Sequence, residues 1–578
     1  MGAGASSAAA AAAPAAAAAA IYYSEDIRYS FNTLKPLNLF SKNSKQAVET
    51  TPDDDDDNNS DGDDGQVNRI SAIPDELLSH ILSFLPTRES AVTSLLSTRW
   101  RYLFASRPEI DLEFHPERNH SDPEIDLEFH PEPERSHSDA DIDLGFHPER
   151  NRNQADKLFS EFVNFGNRLI LLRNRAPLRK FKLSLMRVVE SYRGALDSLI
   201  SAALLCQLQE LEISVDNRSS YRERLSPEGI FTCKTLTSLR LVWRGVDFKV
   251  PSPVCLPNLK LLCLIGPMFQ LGDHDDSLQR LIQGCPLLQE LELHCALGDL
   301  DQIFAEDACM QIEIRDISSP FLKKVVLDLD GGLDTKVVVE SDNLESLEYH
   351  FVGAEYKMSI NAPNLKNLGC GGDINGVNFI QDLNSLVSAK IGSLLEIPNY
   401  EIFYNLVDQV KSVESLTLIQ PKVLTVDISN YVVPTFSNLI SLEFILLNYH
   451  AVESWKLMPI LIKSTPHLEK LVFGRKMFRA ERVEKEFELL FPEFMPKYAI
   501  EHLKEIEFTK FDEKRYEFKL VEYLLQNGKA LKKMVLLGSL QPSSYDRIMS
   551  YMRCSEDCQI VVEERGSEEI WWMLTVDL

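Results

Sequence analysis

Cysteine is sparse in this chain of 578 residues, and the ten present are scattered: Cys206, Cys233, Cys255, Cys263, Cys285, Cys295, Cys309, Cys370, Cys554 and Cys558. None forms a Cys-x-x-Cys pair, which argues against a zinc site. Several fall at apolar repeat positions, so free buried thiols in a reducing compartment are expected. Long apolar runs are also missing. None approaches the roughly 18 residues that span a bilayer. The Ala-rich stretch to Ala20 is broken by Pro14 and lacks a basic flank, so it makes a poor signal peptide. Basic residues are outnumbered, 60 Lys and Arg against 87 Asp and Glu, and form no stripe suited to nucleic acid. No Gly-Lys-Ser/Thr, Gly-x-Ser-x-Gly, His-Glu-x-x-His or EF-hand spacing occurs. The glycines of Gly369-Cys370-Gly371-Gly372 follow a repeat strand and read as a turn. Carboxylates are spread along solvent positions and do not pair in an apolar pocket. A non-catalytic protein without metal or cofactor is therefore expected.

What is present begins with two acidic segments. Residues 47–66 hold nine acidic side chains and no basic one; residues 108–151 hold fourteen against Arg118, Arg135 and Arg150. Together they account for 20 of the 27 net negative charges, so the overall acidity is local. Residues 1–67 lack apolar periodicity and read as a disordered Ala-rich and Asp-rich lead. Met1-Gly2-Ala3-Gly4-Ala5-Ser6 fits the loose myristoylation pattern, although low complexity explains the same letters and is favoured.

Residues 70–104 read as three short helices. Pro74 suits a first helical position, and Asp75 and Glu76 suit the N-terminal end of the dipole. Leu77, Leu78, Ile81, Leu82 and Leu85 recur at helical spacing, and Pro86 stops the run. Thr87 caps a second helix through Leu96, and Ser97 a third that begins near Arg99 and Trp100. So much apolar surface on so few residues calls for a partner helix. Ile73-Pro74-Asp75-Glu76 and Leu96-Ser97-Thr98-Arg99-Trp100 resemble the two ends of a plant F-box. Ser90-Ala91-Val92 and Thr98 depart from its commonest pattern. The resemblance implies docking onto a small Skp-type adaptor, tethered to a cullin, through Ile73, Pro74, Leu77, Leu78, Ile81, Leu85, Leu95, Leu96 and Trp100.

Residues 108–151 contain a tandem repeat, PEIDLEFHPERNHSD, PEIDLEFHPEPERSHSD and ADIDLGFHPERN, with periods of 15 and 17. Each copy holds one strand's worth of Ile-x-Leu-x-Phe. One copy suffices at the junction, and the others read as a looped-out expansion. His115, His130 and His147 recur because the unit is duplicated, which outweighs a metal-binding reading.

From Leu178 a Leu-x-x-Leu-x-Leu pattern recurs about a dozen times at spacings of about 21 to 35 residues, from Leu178-Phe181-Leu183 to Leu468-Leu471-Phe473. No unit can bury its own face, so neighbours stack into a solenoid. Residues between the leucines face solvent. Arg240, Glu290, Glu292, Lys324, Glu348, Lys390 and Glu443 are the candidates for target contact on the concave face. Leu503-Ile506-Phe508, a helical segment Tyr516 to Gln526, Leu531-Met534-Leu536 and the strand Cys558 to Val562 resemble the FBD domain, with Asp512 where that family often has Gly. Together the two resemblances imply a plant F-box/leucine-rich-repeat/FBD protein of α/β class: a three-helix F-box, an irregular leucine-rich-repeat horseshoe and an FBD cap. The expected divisions are 1–67 lead, 68–107 F-box, 108–151 insertion, 152–495 repeats, 496–568 FBD and 569–578 tail. The implied function is substrate recognition for an SCF-type ubiquitin ligase in nucleus or cytoplasm. A non-ligase scaffold and a small-molecule receptor are the alternatives.

Overall fold

The computed structural model describes residues 73–114 and 148–563, apart from 174–175, 187–191, 217–222, 225–227, 245, 249, 267, 270–276, 296–312, 318, 331–334, 353–355, 373–375, 393–405, 420–433, 446–457 and 475–496. The chain divides into two compact units, Met1–Leu85 and Pro86–Leu578. The lead, the second tandem copy, the strand segment of the third, and the tail at 569–578 lie outside the described residues.

The first unit contributes helix α1, Asp75–Ser83. Pro74 stands just before the helix, at its N-cap, and the two acids fill the first turn. The helix ends two residues before Leu85, because Phe84 and Leu85 donate to Ile81 and Leu82 in a tightened last turn.

The second unit begins with α2, Thr87–Thr93, and α3, Thr98–Ala105. Ser97 caps α3 as expected, accepting from Trp100 N at 3.4 Å. Thr87 does not cap α2: Pro86 holds that place, and Thr87 is the first helical residue. Its Oγ1 accepts from the backbone N of Asp111 at 2.9 Å, which ties α2 to the first strand. α2 stops at Thr93 rather than Leu96, where Thr93 and Ser94 turn their hydroxyls back onto carbonyls three residues earlier.

One parallel sheet of sixteen strands follows, with each strand beside its predecessor in the chain. In order these are β1 Glu109–Phe114, β2 Lys180–Met186, β3 Glu210–Asp216, β4 Ser238–Arg244, β5 Leu261–Ile265, β6 Glu290–Cys295, β7 Lys324–Asp330 and β8 Ser346–Val352. Then come β9 Asn367–Gly372, β10 Ser388–Gly392, β11 Ser415–Ile419, β12 Ser441–Ile445, β13 Lys470–Phe473, β14 Glu505–Phe508, β15 Lys533–Leu537 and β16 Gln559–Glu563. The second and third apolar residues of each Leu-x-x-Leu-x-Leu unit occupy alternate strand positions and face one core. In β10, β11 and β12 burial alternates strictly. The first leucine of each unit is buried just before its strand.

Return segments follow repeat length. Between Leu322 and Leu386 the motifs recur at 21 to 22 residues, and there the returns are strands. Thr335–Glu340, Tyr356–Asn361 and Val377–Phe379 join Glu313–Ile317 in a second parallel sheet. Extended chain covers about 3.3 Å per residue against 1.5 Å for a helix, so a short return must be extended. Longer returns hold helices: α4 Pro148–Leu172, α5 Arg193–Leu204, α6 Ser277–Gln283 and α7 Met458–Lys463.

One tandem copy does supply a strand at the junction, as expected, while the start of the repeats at residue 152 and the turn at Gly369 to Gly372 need correction. Glu109–Phe114 of the first tandem copy is β1, the edge strand, with Ile110, Leu112 and Phe114 buried. The stack therefore starts well before residue 152, and α4 begins inside the third copy. Gly369, Gly371 and Gly372 belong to β9 and not to a turn. Only Gly372 has a left-handed φ, 76°.

At the far end, α8 Lys497–Ile500, α9 Arg515–Asn527 and α10 Pro542–Met549 accompany β14 to β16. α9 buries Tyr516, Phe518, Leu520, Val521, Leu524 and Leu525 against the stack. Eight described cysteines are free, and burial pushes the Cys263, Cys285 and Cys370 thiols up to about 12, which makes them unreactive. Among the described residues no helix is long and apolar enough to cross a membrane.

Candidate functional site

The residues expected to hold an adaptor fall on both units. On the first, α1 has a covered and an open side. Leu77 and Ile81 are 55% and 46% exposed, while Leu78 is 1% exposed and Leu82 wholly buried. Leu78 therefore leaves the set of available contacts, since a side chain already covered within its own chain offers no surface to a partner. Pro74 is exposed, and Ile73 and Leu85 are half-buried. Phe84, just past the helix, is 74% exposed, an apolar side chain that helical periodicity did not single out.

On the second unit Leu95 and Leu96 are open, and Trp100 is half-buried. Val92 and Tyr102 add exposed apolar surface that sequence reasoning missed. The exposed leucines sit in the turn between α2 and α3, whose inner residues Leu103, Phe104 and Ala105 are buried. Arg173, 4% exposed, fixes this module to the repeats. Its Nη1 donates to the carbonyls of Ala105, at 2.9 Å, and Arg107, and its Nη2 to Pro177 O at 2.7 Å.

The candidate target contacts lie on the sheet face opposite the core, in two register rows. Arg240, Glu292, Glu348, Lys390 and Glu443 share one row with Cys263, Val326, Gly369 and Thr417 between them. Glu290 and Lys324 pair in the row two residues earlier. Glu292 gathers the nearby cations: Lys324 Nζ lies 2.9 Å from Oε1 and Arg240 Nη2 3.5 Å from Oε2. Burial opposes its ionisation, but the Lys324 hydrogen bond and charge, Cys263 and Arg240 together hold it below the usual carboxylate range. Desolvation likewise works against the Lys324 ammonium and is outweighed by Glu292, then by Glu290 and Glu348, which raise it. Further along, Glu443 accepts from Thr417 Oγ1 at 2.9 Å, and burial raises its carboxyl.

A third row contains a cluster that the sequence did not flag. Asp328 lies between His294 Nδ1 at 3.4 Å and His350 Nδ1 at 3.1 Å. Burial disfavours its charge, yet the two histidines hold its carboxyl below the usual range. The signal was available, since His294, Asp328 and His350 occupy the same register row at an open-face strand position. Among the described residues no group of three or more His, Cys, Asp or Glu could hold a metal ion.

The sequence matches known families over three stretches. Residues 70–110 match the F-box domain, residues 196–387 the leucine-rich repeats of the FBD-associated F-box protein At5g56370, and residues 492–536 the FBD. Among relatives from Arabidopsis thaliana, F-box protein At3g59000 is 29% identical over 70% of this chain and 73% of its own length. Putative F-box/FBD/LRR-repeat protein At5g22670 is 27% identical over 86% of this chain and 97% of its own length. F-box/FBD/LRR-repeat protein At1g13780 is 24% identical over 86% and 98%. The chain thus carries an F-box, leucine-rich repeats and an FBD in that order, the arrangement of the Arabidopsis F-box/FBD/LRR-repeat proteins to which it is similar.

Proposed function

We propose that the chain is the substrate-recognition subunit of an SCF-type cullin–RING ubiquitin ligase. Its F-box docks a Skp-family adaptor, and its repeats hold a target protein. The observation that carries this reading is open apolar surface within the F-box: Leu77 and Ile81 on α1, Leu95 and Leu96 after α2. Such side chains are covered by a partner helix in helix-in-groove recognition. The chain contributes position rather than chemistry: holding a target beside a charged ubiquitin carrier raises effective concentration. Nucleus or cytoplasm is the proposed location, in keeping with the free cysteines.

Co-purification with adaptor and cullin tests the reading. Leu77→Asp with Ile81→Asp places two charges in the contact at a penalty of several kcal/mol and should abolish adaptor capture. Leu78 is left intact, so the thermal midpoint should hold. Wild type that captures no adaptor, or a double variant that captures it equally well, would overturn the proposal.

A further inference from the structure

The two ends of the sixteen-stranded sheet are finished differently. Pro108 O accepts from Lys180 N, so by alternation Asp111 N points away from β2, and it donates to Thr87 Oγ1 of α2 at 2.9 Å. A helix therefore covers that edge. At the other end β16 pairs with β15 alone. Gln559 N donates to Lys532 O, and Gly538 N to Glu563 O, so the odd-numbered residues direct their backbone groups to β15. Alternation turns the N–H and C=O of Ile560 and Val562 to the outer edge. Arg553 Nη1 donates to Cys558 O at 3.1 Å, just before the strand. Among the described residues no hydrogen bond reaches the outward groups of Ile560 or Val562. The side chains agree. Met534 and Leu536 of β15 are wholly buried, whereas Ile560 and Val562 opposite them are half-buried, although they pack on the same core. Beside Val562 lies a cavity of about 390 Å³, lined also by Gly538, Leu540, Pro542, Tyr545 and Asp546, with Tyr545 44% exposed. An unpaired edge with apolar flanks is a template for one more strand.

The sequence supplies one close by. Residues 564–578 lie outside the described residues, and within them 570–576 read Ile-Trp-Trp-Met-Leu-Thr-Val, an uncharged run of β-branched, aromatic and aliphatic side chains. Only residues 564–569 separate this run from β16. A parallel crossover needs about a dozen residues or more, so the run can return to β16 only as an antiparallel strand. Ile570, Trp572, Leu574 and Val576 then share one face, and all four are apolar. We propose that residues 570–576 fold back antiparallel to β16 as a further strand that closes the sheet. A loop of residues 565–569 takes Gly566 and Ser567 into the turn and sets Val562 opposite Trp572 and Ile560 opposite Leu574. These are the two residues of β16 whose backbone groups face outward, so the turn length and the apolar pattern select the same register. Trp572 fills the cavity beside Val562, where the Asp546 carboxylate is an acceptor for its indole N–H. Trp571 and Met573 fall on the opposite face with Val561. The short tether favours the chain's own tail over that of a second copy. The proposal does not depend on the ligase reading.

Hydrogen–deuterium exchange of the full chain, resolved to single amides by fragmentation mass spectrometry, reads this ladder directly. Rates are taken relative to Ile506 and Phe508 of β14, which report the fold itself. The amides of Ile560 and Val562 would exchange freely on an open edge. Under the proposal they are slowed at least about a hundredfold, together with those of Trp572 and Leu574. Trp572→Ser should speed all of them at least about tenfold, since a large buried side chain is lost. Trp571→Ser removes the same side chain from the other face and should change them by less than about threefold. Light scattering follows molecular mass over the same concentrations. Free exchange at Ile560 and Val562 in wild type, or equal effects of the two substitutions, would overturn the proposal. Protection that appears only in step with a doubled mass would overturn it as well, by assigning the edge to the tail of a second copy.

Discussion

Arg173 serves three carbonyls from two directions, those of Ala105 and Arg107 at the end of α3 and that of Pro177 at the entry to β2. A buried acceptor left without its donor costs about 1–3 kcal/mol. Arg173→Ala strips all three at once, and Arg173→Met does so while keeping most of the volume. Both should lower the thermal midpoint by several degrees, and a Met variant as stable as wild type would show that the carbonyls find other donors. Glu517 gives the second prediction at this scale. It is 1% exposed, and burial pushes its carboxyl up to about 7 even though Asp512 N and Lys514 N donate to Oε2. The folded group therefore keeps a proton that the unfolded one, with an ordinary glutamate pKa near 4.3, has already lost. Native protein binds more protons through that window, so stability falls as pH rises from about 4.5 to about 7 and then levels off. The span corresponds to about 3 kcal/mol. Glu517→Gln cannot titrate. Melting wild type and variant side by side from pH 4.5 to 7.5 should show the wild-type advantage shrinking as pH rises; a constant difference would mean that the backbone donors cancel the effect of burial.

Among elements, β1 poses an unusual substitution problem, because Glu124–Phe129 repeats its six residues letter for letter. Deleting Pro108–Asp122 joins Arg107 to Pro123 and delivers the same strand sequence to the same edge. Loop length between strand and α4 matters little entropically. Thermal midpoint and adaptor capture should be unchanged. In the deletion variant Ile125→Asp should then be strongly destabilising, because that side chain inherits the buried place of Ile110, while the same change in the full chain should be silent. A destabilising Ile125→Asp in the full chain would show that the second copy is packed as well. The sequence made most strands readable because each Leu-x-x-Leu-x-Leu places its apolar residues on one face of one strand, and no other element competes for that spacing. Elsewhere the letters were ambiguous. Leu77 and Leu78 are adjacent leucines about 100° apart on a helix, and only packing decides which is covered. The strand returns at Thr335–Glu340 and Tyr356–Asn361 alternate Val337 with Val339 and Met358 with Ile360, a period-two signal overshadowed by the stronger leucine motif. The run Gly369 to Gly372 looked like a turn because glycine usually marks one, whereas here two of its members make room for the side chains of the preceding strand.

For the whole molecule, stability is a sum of neighbouring contacts, since every strand of the main sheet pairs only with its sequence neighbours in that sheet. The C-terminal strands and α9 cover what would otherwise be an open apolar end: Phe473 of β13 stacks on Phe508 of β14 with ring centroids 4.9 Å apart. Ending the chain after Gly474 should therefore cause aggregation and a lower midpoint, yet leave adaptor capture intact because the F-box precedes the opposite end of the strand order. A truncated chain as soluble as wild type would mean that β13 needs no cover. The same ordering governs how the protein is born. At roughly 5–20 residues per second, each new strand leaves the ribosome within a few seconds of the one it must pair with, and it meets a finished template. The first pairing is the exception. β1 must wait while residues 115–179 are translated before β2 arrives, and in that interval all three copies of its sequence have emerged. Synthesis thus offers β2 three near-equivalent starting partners before one is chosen, and the pace of translation through this stretch becomes a determinant of which copy seeds the sheet.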